Sequence, residues 1–121
     1  MASMLVVDDE RDIVRILGEF LGSHGHEVTA AHSGTQALSL ARQHRFDLVF
    51  LDIVMPGMDG NETLRRLRTE DPSQVVVMIT GLADENAVIE SMTLGAFDSI
   101  RKPFDFKNLE RVVALGLAMR A

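Results

Sequence analysis

Four times along the chain a short, mainly apolar run ends at a polar residue and gives way to a stretch with helical hydrophobic spacing, and a fifth, weaker strand repeats the order near the end. That rhythm constrains the fold more than any other property of the sequence. Residues 4–7 (MLVV) end at Asp8-Asp9. Over residues 10–21 the apolar positions Ile13, Ile16, Leu17, Phe20 and Leu21 recur at helical intervals, and Gly22 and Gly25 are expected to stop that helix. Residues 28–31 read as a second strand, with Ser33 capping a helix to about Gln43. The wholly apolar residues 48–51 end at Asp52 and open a loop holding Pro56, Gly57 and Gly60. Residues 61–68 then carry Leu64 and Leu67 at helical spacing, punctuated by Asp71-Pro72. Residues 75–79, the most β-branched segment, end at Thr80-Gly81; Asp84 can cap a helix over residues 85–94, which Gly95 closes. Residues 99–101 make a short strand before Lys102-Pro103, and Asp105 can cap a last helix.

Strands that are apolar throughout, rather than alternating, are covered on both faces. Crossover helices of this length join parallel neighbours. The expected fold is a doubly wound α/β domain with a five-stranded parallel sheet, (βα)5, occupying residues 1–121 as one unit. A chain of 121 residues, 46% hydrophobic and 25% charged, suits that. The absence of cysteine excludes disulfides, thiol chemistry and Cys-ligated metals. No apolar run approaches the roughly 18 residues of a membrane span, and no basic start leads into an apolar segment as in a secretory leader. A soluble, cytoplasmic domain is expected. With 18 acidic residues against 12 Lys+Arg, direct contact with nucleic acid by this domain is not.

In open parallel sheets ligands sit beyond the carboxyl ends of the strands. Asp8-Asp9, Asp52, Thr80 and Lys102 follow the first, third, fourth and fifth strands, so they share one sheet edge. Three carboxylates gathered there repel each other unless a cation lies between them. Oxygen ligands alone favour a hard ion, Mg²⁺ or Mn²⁺. A Lys ammonium and a Thr hydroxyl add donors, and such a set suits a phosphoryl group. A carboxylate left over can attack phosphorus and form an aspartyl phosphate. Taken singly, each residue has an ordinary explanation: Asp8-Asp9 as turn and cap, Asp52 as turn, Thr80 as strand end, Lys102 as solvated charge. Their coincidence at four strand ends carries the inference.

Residues 5–10 (LVVDDE), residues 47–60 (DLVFLDIVMPGMDG), Thr80-Gly81 and Lys102-Pro103-Phe104 resemble the signature blocks of response-regulator receiver domains of two-component signalling. The resemblance spans nearly the whole chain. It implies a flavodoxin-like sheet of order 2-1-3-4-5 with Asp52 as phosphoacceptor. It implies Asp9 and Asp52 as direct Mg²⁺ ligands, Asp8 acting through water, and the main-chain carbonyl of Val54 completing the protein's share. Lys102 would contact the phosphoryl oxygens from a cis Lys102–Pro103 peptide, and Thr80 would swing to a new phosphoryl oxygen. A sensor histidine kinase or phosphotransfer protein would be the donor. The face of the fourth helix, fifth strand and fifth helix would carry the output, with a homodimer or an effector domain outside this chain as its reader.

Departures from the family pattern bear on mechanism. Ser99 stands where many receivers carry Tyr or Phe, so a switch would run through backbone shifts or through Phe97 and Phe104. Val54 and Leu82 are apolar where polar residues are common. Such groups either screen an attacking water or fail to position one, so slow self-dephosphorylation is expected. Ile89 and Leu94 flank the stripe set by Val88 and Met92; Leu115 and Met119 lie outside the stripe of Leu109, Val112, Val113, Gly116 and Leu117. His24, His26, His32 and His44 are expected to be solvated. Arg65, Arg66 and Arg68 are read as a solvated helix face or a partner contact, and Met55 and Met58 as loop packing or an adaptable docking surface. A phosphatase of the haloacid dehalogenase type would need an Asp nucleophile in a DxD pattern on the first strand, which Asp8-Asp9-Glu10 does not supply. A receiver-like module working without phosphorylation would have lost the acceptor, the acid pair or the lysine, and all are retained.

Overall fold

The computed structural model describes residues 1–81 and 85–120. Strands and helices alternate: β1 (Ser3–Val7), α1 (Arg11–Ser23), β2 (Glu27–Ala31), α2 (Gly34–Gln43), β3 (Leu48–Asp52), α3 (Gly60–Glu70), β4 (Val76–Thr80), α4 (Glu85–Thr93), β5 (Asp98–Arg101) and α5 (Phe106–Met119). All neighbours pair in parallel, in the order β2-β1-β3-β4-β5. This is the expected doubly wound sheet.

The two faces of the sheet bury separate cores. Leu5, Val7, Val49, Leu51, Val76 and Met78 meet Ala37, Leu38, Leu64 and Leu67 of α2 and α3. Met4, Val6, Leu48, Phe50, Val77 and Ile79 meet Leu17 and Leu21 of α1 and Leu109, Val112 and Val113 of α5. Every residue of β3 and β4 is buried, which is why their sequences are continuous apolar runs. Each apolar side chain among them contributes about 1.5–3 kcal/mol on burial. With that support on both sides, the ends of the central strands are held rigidly. Among the described residues no helix is long and apolar enough to cross a membrane.

Several boundaries differ from expectation. Gly22 lies inside α1, which continues to Ser23; an exposed helical glycine costs only about 1 kcal/mol and does not stop a helix. The chain turns instead at Gly25, whose φ of 84° is left-handed. Helix α3 begins at Gly60 because Asp59 caps it, accepting from the Glu62 amide at 2.9 Å. Ser33 and Asp105 cap α2 and α5 as expected, at 3.1 Å from the Gln36 amide and 3.0 Å from the Lys107 amide. The proposed cap Asp84 lies outside the described residues.

Helix α4 departs most. Met92, expected in its buried stripe, is 45% exposed, and the one fully buried position of the helix is Ser91. The Ser91 hydroxyl donates to Asn61 Oδ1 of α3 at 2.5 Å, with the Ala87 carbonyl 2.9 Å away, and Asn61 Nδ2 donates to that carbonyl at 3.1 Å. A polar residue can occupy a buried position when its hydrogen bonds are satisfied there. Ile89, Leu115 and Met119 are exposed, as their positions outside the stripes imply.

Candidate functional site

Four strand ends deliver the polar residues. Asp8 follows β1 and keeps its backbone in line by donating to the Ala31 carbonyl at 3.1 Å. Asp52 and Thr80 are the last residues of β3 and β4. The Lys102 amide donates to the Thr80 carbonyl at 2.9 Å, which continues the β4–β5 ladder one step past Arg101, and the Lys102–Pro103 peptide is cis. The loop after Asp52 folds back tightly. Gly57 takes a φ of 75°, and the Gly60 amide donates to the Ile53 carbonyl at 2.8 Å. A side chain at Gly60 would run into the main-chain carbonyl of Asp52 and approach Ile53 Cα to 2.6 Å.

The side chains converge. Lys102 Nζ lies 2.8 Å from Asp8 Oδ2, 3.1 Å from Glu10 Oε1 and 3.6 Å from Asp52 Oδ2. Oxygens of Asp8, Glu10 and Asp52 approach one another within 4.8 Å. Asp8 is fully buried, Asp52 and Thr80 are buried, and Glu10 is exposed. Asp8 Oδ1 accepts from the Glu10 amide at 2.9 Å. Asp8 Oδ2 faces the ammonium as an ion pair, without a well-aligned hydrogen bond. Asp52 Oδ1 accepts from the Val54 amide over a long 3.4 Å.

The electrostatics follow from this crowding. Burial first, and then the charge and contact of Asp8, push the Asp52 carboxyl up to about 7; Lys102 and the Val54 amide pull it back only in part. Burial opposes the charged form of Lys102, but Asp8 and Glu10 outweigh it and hold its pKa above the ordinary value. Among the described residues, three carboxylates against one ammonium leave the pocket short of positive charge. A buried carboxylate oxygen lacking a hydrogen bond, within a set of oxygen donors only, fits a hard divalent cation.

The structure therefore brings together the side chains of Asp8, Asp52 and Lys102, and places Thr80 beside Lys102 through its main-chain carbonyl. Asp9 is exposed and stands outside the group of converging carboxylates. The Val54 side chain is 74% exposed, and Leu82 lies outside the described residues. Glu10 was missed by sequence reasoning. The usable signal was the third acid in the run Asp8-Asp9-Glu10, since every second residue of an extended turn faces the same way. Ser99 is half-buried, Phe97 and Phe104 pack partly on the core, and a groove opens among Val88, Ile89, Ser99, Ile100 and Arg101. Met55 is buried in the core and Met58 packs against it.

The remaining candidates resolve into structural contacts. His24 and His44 are exposed, but His26 is half-buried and accepts from the Ala2 amide at 3.2 Å. His32 is half-buried too, with Nδ1 3.3 Å from the Asp8 carbonyl. Arg65 and Arg66 both pair with Glu62, whose carboxyl falls to about 2. Arg68 is half-buried and donates to the Gln74 carbonyl at 2.9 Å.

Comparison with known proteins agrees with this fold. Residues 4–114 match the family described as response regulator receiver domain. The chain is 39% identical over 115 residues to transcriptional regulatory protein ZraR of Klebsiella oxytoca, covering 95% of this chain and 26% of that protein. It is 35% identical over 118 residues to sporulation initiation phosphotransferase F of Bacillus subtilis, covering 98% of this chain and 95% of that protein. The crystal structure of the receiver domain of NtrX from Brucella abortus superposes with a TM-score of 0.91 at 35% identity, covering 95% of this chain and 98% of that one. The chain thus spans about a quarter of the length of ZraR and nearly all of the phosphotransferase.

Proposed function

This chain belongs to the response-regulator receiver family, and from that membership we propose that Asp52 is its phosphoacceptor. Phosphorylation-dependent switching is the general function of the family. In our reading the donor is a phosphohistidine on a sensor histidine kinase or phosphotransfer protein. An Asp52 carboxylate oxygen attacks phosphorus; the new O–P bond forms as the P–N bond breaks, and its electron pair leaves with the imidazole nitrogen. Lys102 and Thr80 then hold separate phosphoryl oxygens. Asp8, Asp9, Asp52 and the Val54 carbonyl would hold Mg²⁺, with Mn²⁺ as a substitute. That ion supplies charge stabilisation at the phosphoryl oxygens and favours ionised Asp52.

The observation that carries the reading is the convergence on Lys102 Nζ of Asp8 at 2.8 Å and Asp52 at 3.6 Å, from three different strand ends. The chain is not an enzyme in the ordinary sense; it turns over only its own phosphoryl group. An exposed, apolar Val54 offers an incoming water no hydrogen-bond partner, which supports slow self-dephosphorylation. The output runs through the α4–β5–α5 face, read by a homodimer or an effector domain. The receiver unit takes in residues 1–121 and works in the cytoplasm, without touching nucleic acid itself.

Incubation with acetyl phosphate and Mg²⁺, followed by intact mass, tests this. One phosphate adduct on the wild type, absent in Asp52→Ala and absent with EDTA, is expected. The adduct should persist for minutes; loss within seconds refutes slow dephosphorylation. Steady turnover of a phosphoester would make the protein a phosphatase instead.

A further inference from the structure

Glu10 is the N-cap residue of α1, yet its carboxylate makes no capping hydrogen bond. It reaches instead to Lys102 Nζ, 92 positions away in sequence, at 3.1 Å. The ammonium is thereby shared by two unlike partners. The Asp8 side chain is 0% exposed and that of Glu10 63%, while Lys102 itself is 13% exposed. A buried carboxylate cannot give up its cation without a large desolvation penalty. An exposed one is rehydrated on release and loses little. The Glu10 backbone meanwhile stays fixed, its amide bonded to Asp8 Oδ1, so only its side chain is free to move away.

We propose that Glu10 is a positioning residue for Lys102: its carboxylate holds the ammonium at the mouth of the pocket until a phosphoryl oxygen on Asp52 takes its place. Lys102 keeps Asp8 throughout and exchanges only its outer partner. The exchange sets how readily the lysine is handed to the phosphoryl group. This inference rests on Asp52 being the phosphoacceptor and adds a competitor for the residue that stabilises the product.

The test uses beryllofluoride with excess Mg²⁺ as the phosphoryl analogue, together with the Lys102 ammonium resonance by NMR. Glu10→Gln is compared with Asp12→Asn, which removes a carboxylate charge from the same helix start without touching Lys102. Apparent beryllofluoride affinity should rise about two- to five-fold in Glu10→Gln, the value of an exposed ion pair, and stay within about 1.5-fold in Asp12→Asn. The Lys102 resonance of the free protein should move in Glu10→Gln alone, a change that a purely structural role for Glu10 would not produce. Equal affinities, or equal gains in both variants, overturn the exchange. A fall in Mg²⁺ affinity in Glu10→Gln also overturns it, making Glu10 a metal ligand. A wild type that takes up neither beryllofluoride nor phosphate refutes the phosphoacceptor itself; a labelled wild type with an indifferent Glu10→Gln refutes the exchange alone.

Discussion

Asp52→Asn should make the metal-free protein more stable at alkaline pH, although it removes a partner of Lys102. The carboxyl is held at about 7, against an ordinary value of 3.8, by burial and by Asp8. The folded state therefore binds more protons than the unfolded one between those values. The stability of the wild type falls as pH rises from about 4 through about 7 and levels off above. At about 1.36 kcal/mol per pKa unit, the ionised carboxylate costs the fold up to roughly 4 kcal/mol at pH 8. Asparagine keeps the shape and drops the charge. Lys102 retains Asp8 at 2.8 Å and Glu10 at 3.1 Å, so no cation is orphaned, and the attraction of Lys102 across 3.6 Å is already contained in the value of about 7. The net gain is roughly 4 kcal/mol at pH 8 and falls to about 1 kcal/mol near pH 4.5. The chain has no Trp or Tyr, so urea unfolding is best followed by far-UV circular dichroism, with EDTA present and both proteins measured at both pH values. Adding Mg²⁺ at pH 8 should narrow the gap by stabilising the wild type through binding. A variant no more stable than the wild type at pH 8, or one whose advantage does not change with pH, refutes the reasoning.

Three further outcomes are expected. Gly60→Ala forces a methyl against the Asp52 carbonyl and Ile53, both rigid backbone, and should cost roughly 3 kcal/mol in urea unfolding; a loss under about 1 kcal/mol would mean that the acceptor loop yields easily. Ser91→Ala strips Asn61 Oδ1 of its donor and should cost about 1–3 kcal/mol, with the Asn61→Ala/Ser91→Ala pair costing less than the sum of the singles. His24 is held above its ordinary pKa by the Phe20 carbonyl and by Glu110, 3.2 Å away, so this tie between α1 and α5 is present below about pH 6.5 and is lost as pH rises through the raised value. An NMR titration should show the elevated His24 pKa falling in Glu110→Gln, and an unchanged titration would remove Glu110 from the account.

The strand–helix alternation was legible because β3 and β4 are buried on both faces and wrote themselves as apolar runs ending in Asp52 and Thr80. Sheet-edge logic then grouped Asp8, Asp52, Thr80 and Lys102 without any pairwise signal. Glu10 was legible only as the third acid of the run Asp8-Asp9-Glu10, because nothing in periodicity distinguishes a helix-start carboxylate that faces solvent from one that reaches a distant lysine. Ser91 was not legible: hydrophobic patterning assigns buried positions to apolar residues, and a serine is admitted only by a partner, Asn61, 30 positions away. The extension of α1 through Gly22 reflects packing of Leu17 and Leu21 against the sheet, which outweighs a local propensity of about 1 kcal/mol.

That serine has a thermodynamic corollary for α4. A helix seated on apolar side chains loosens with a large rise in heat capacity and a steep response to denaturant, because much greasy surface becomes wet. Among the described residues of α4, the fully buried contact is a hydrogen-bonded hydroxyl, while Ile89 and Met92 already face water. With Ala87 and Val88 its apolar contacts to the core, lifting this helix off α3 should carry a small heat-capacity change and depend weakly on urea. Its motion should show as amide exchange on α4 that changes little with low urea while the sheet beneath remains protected.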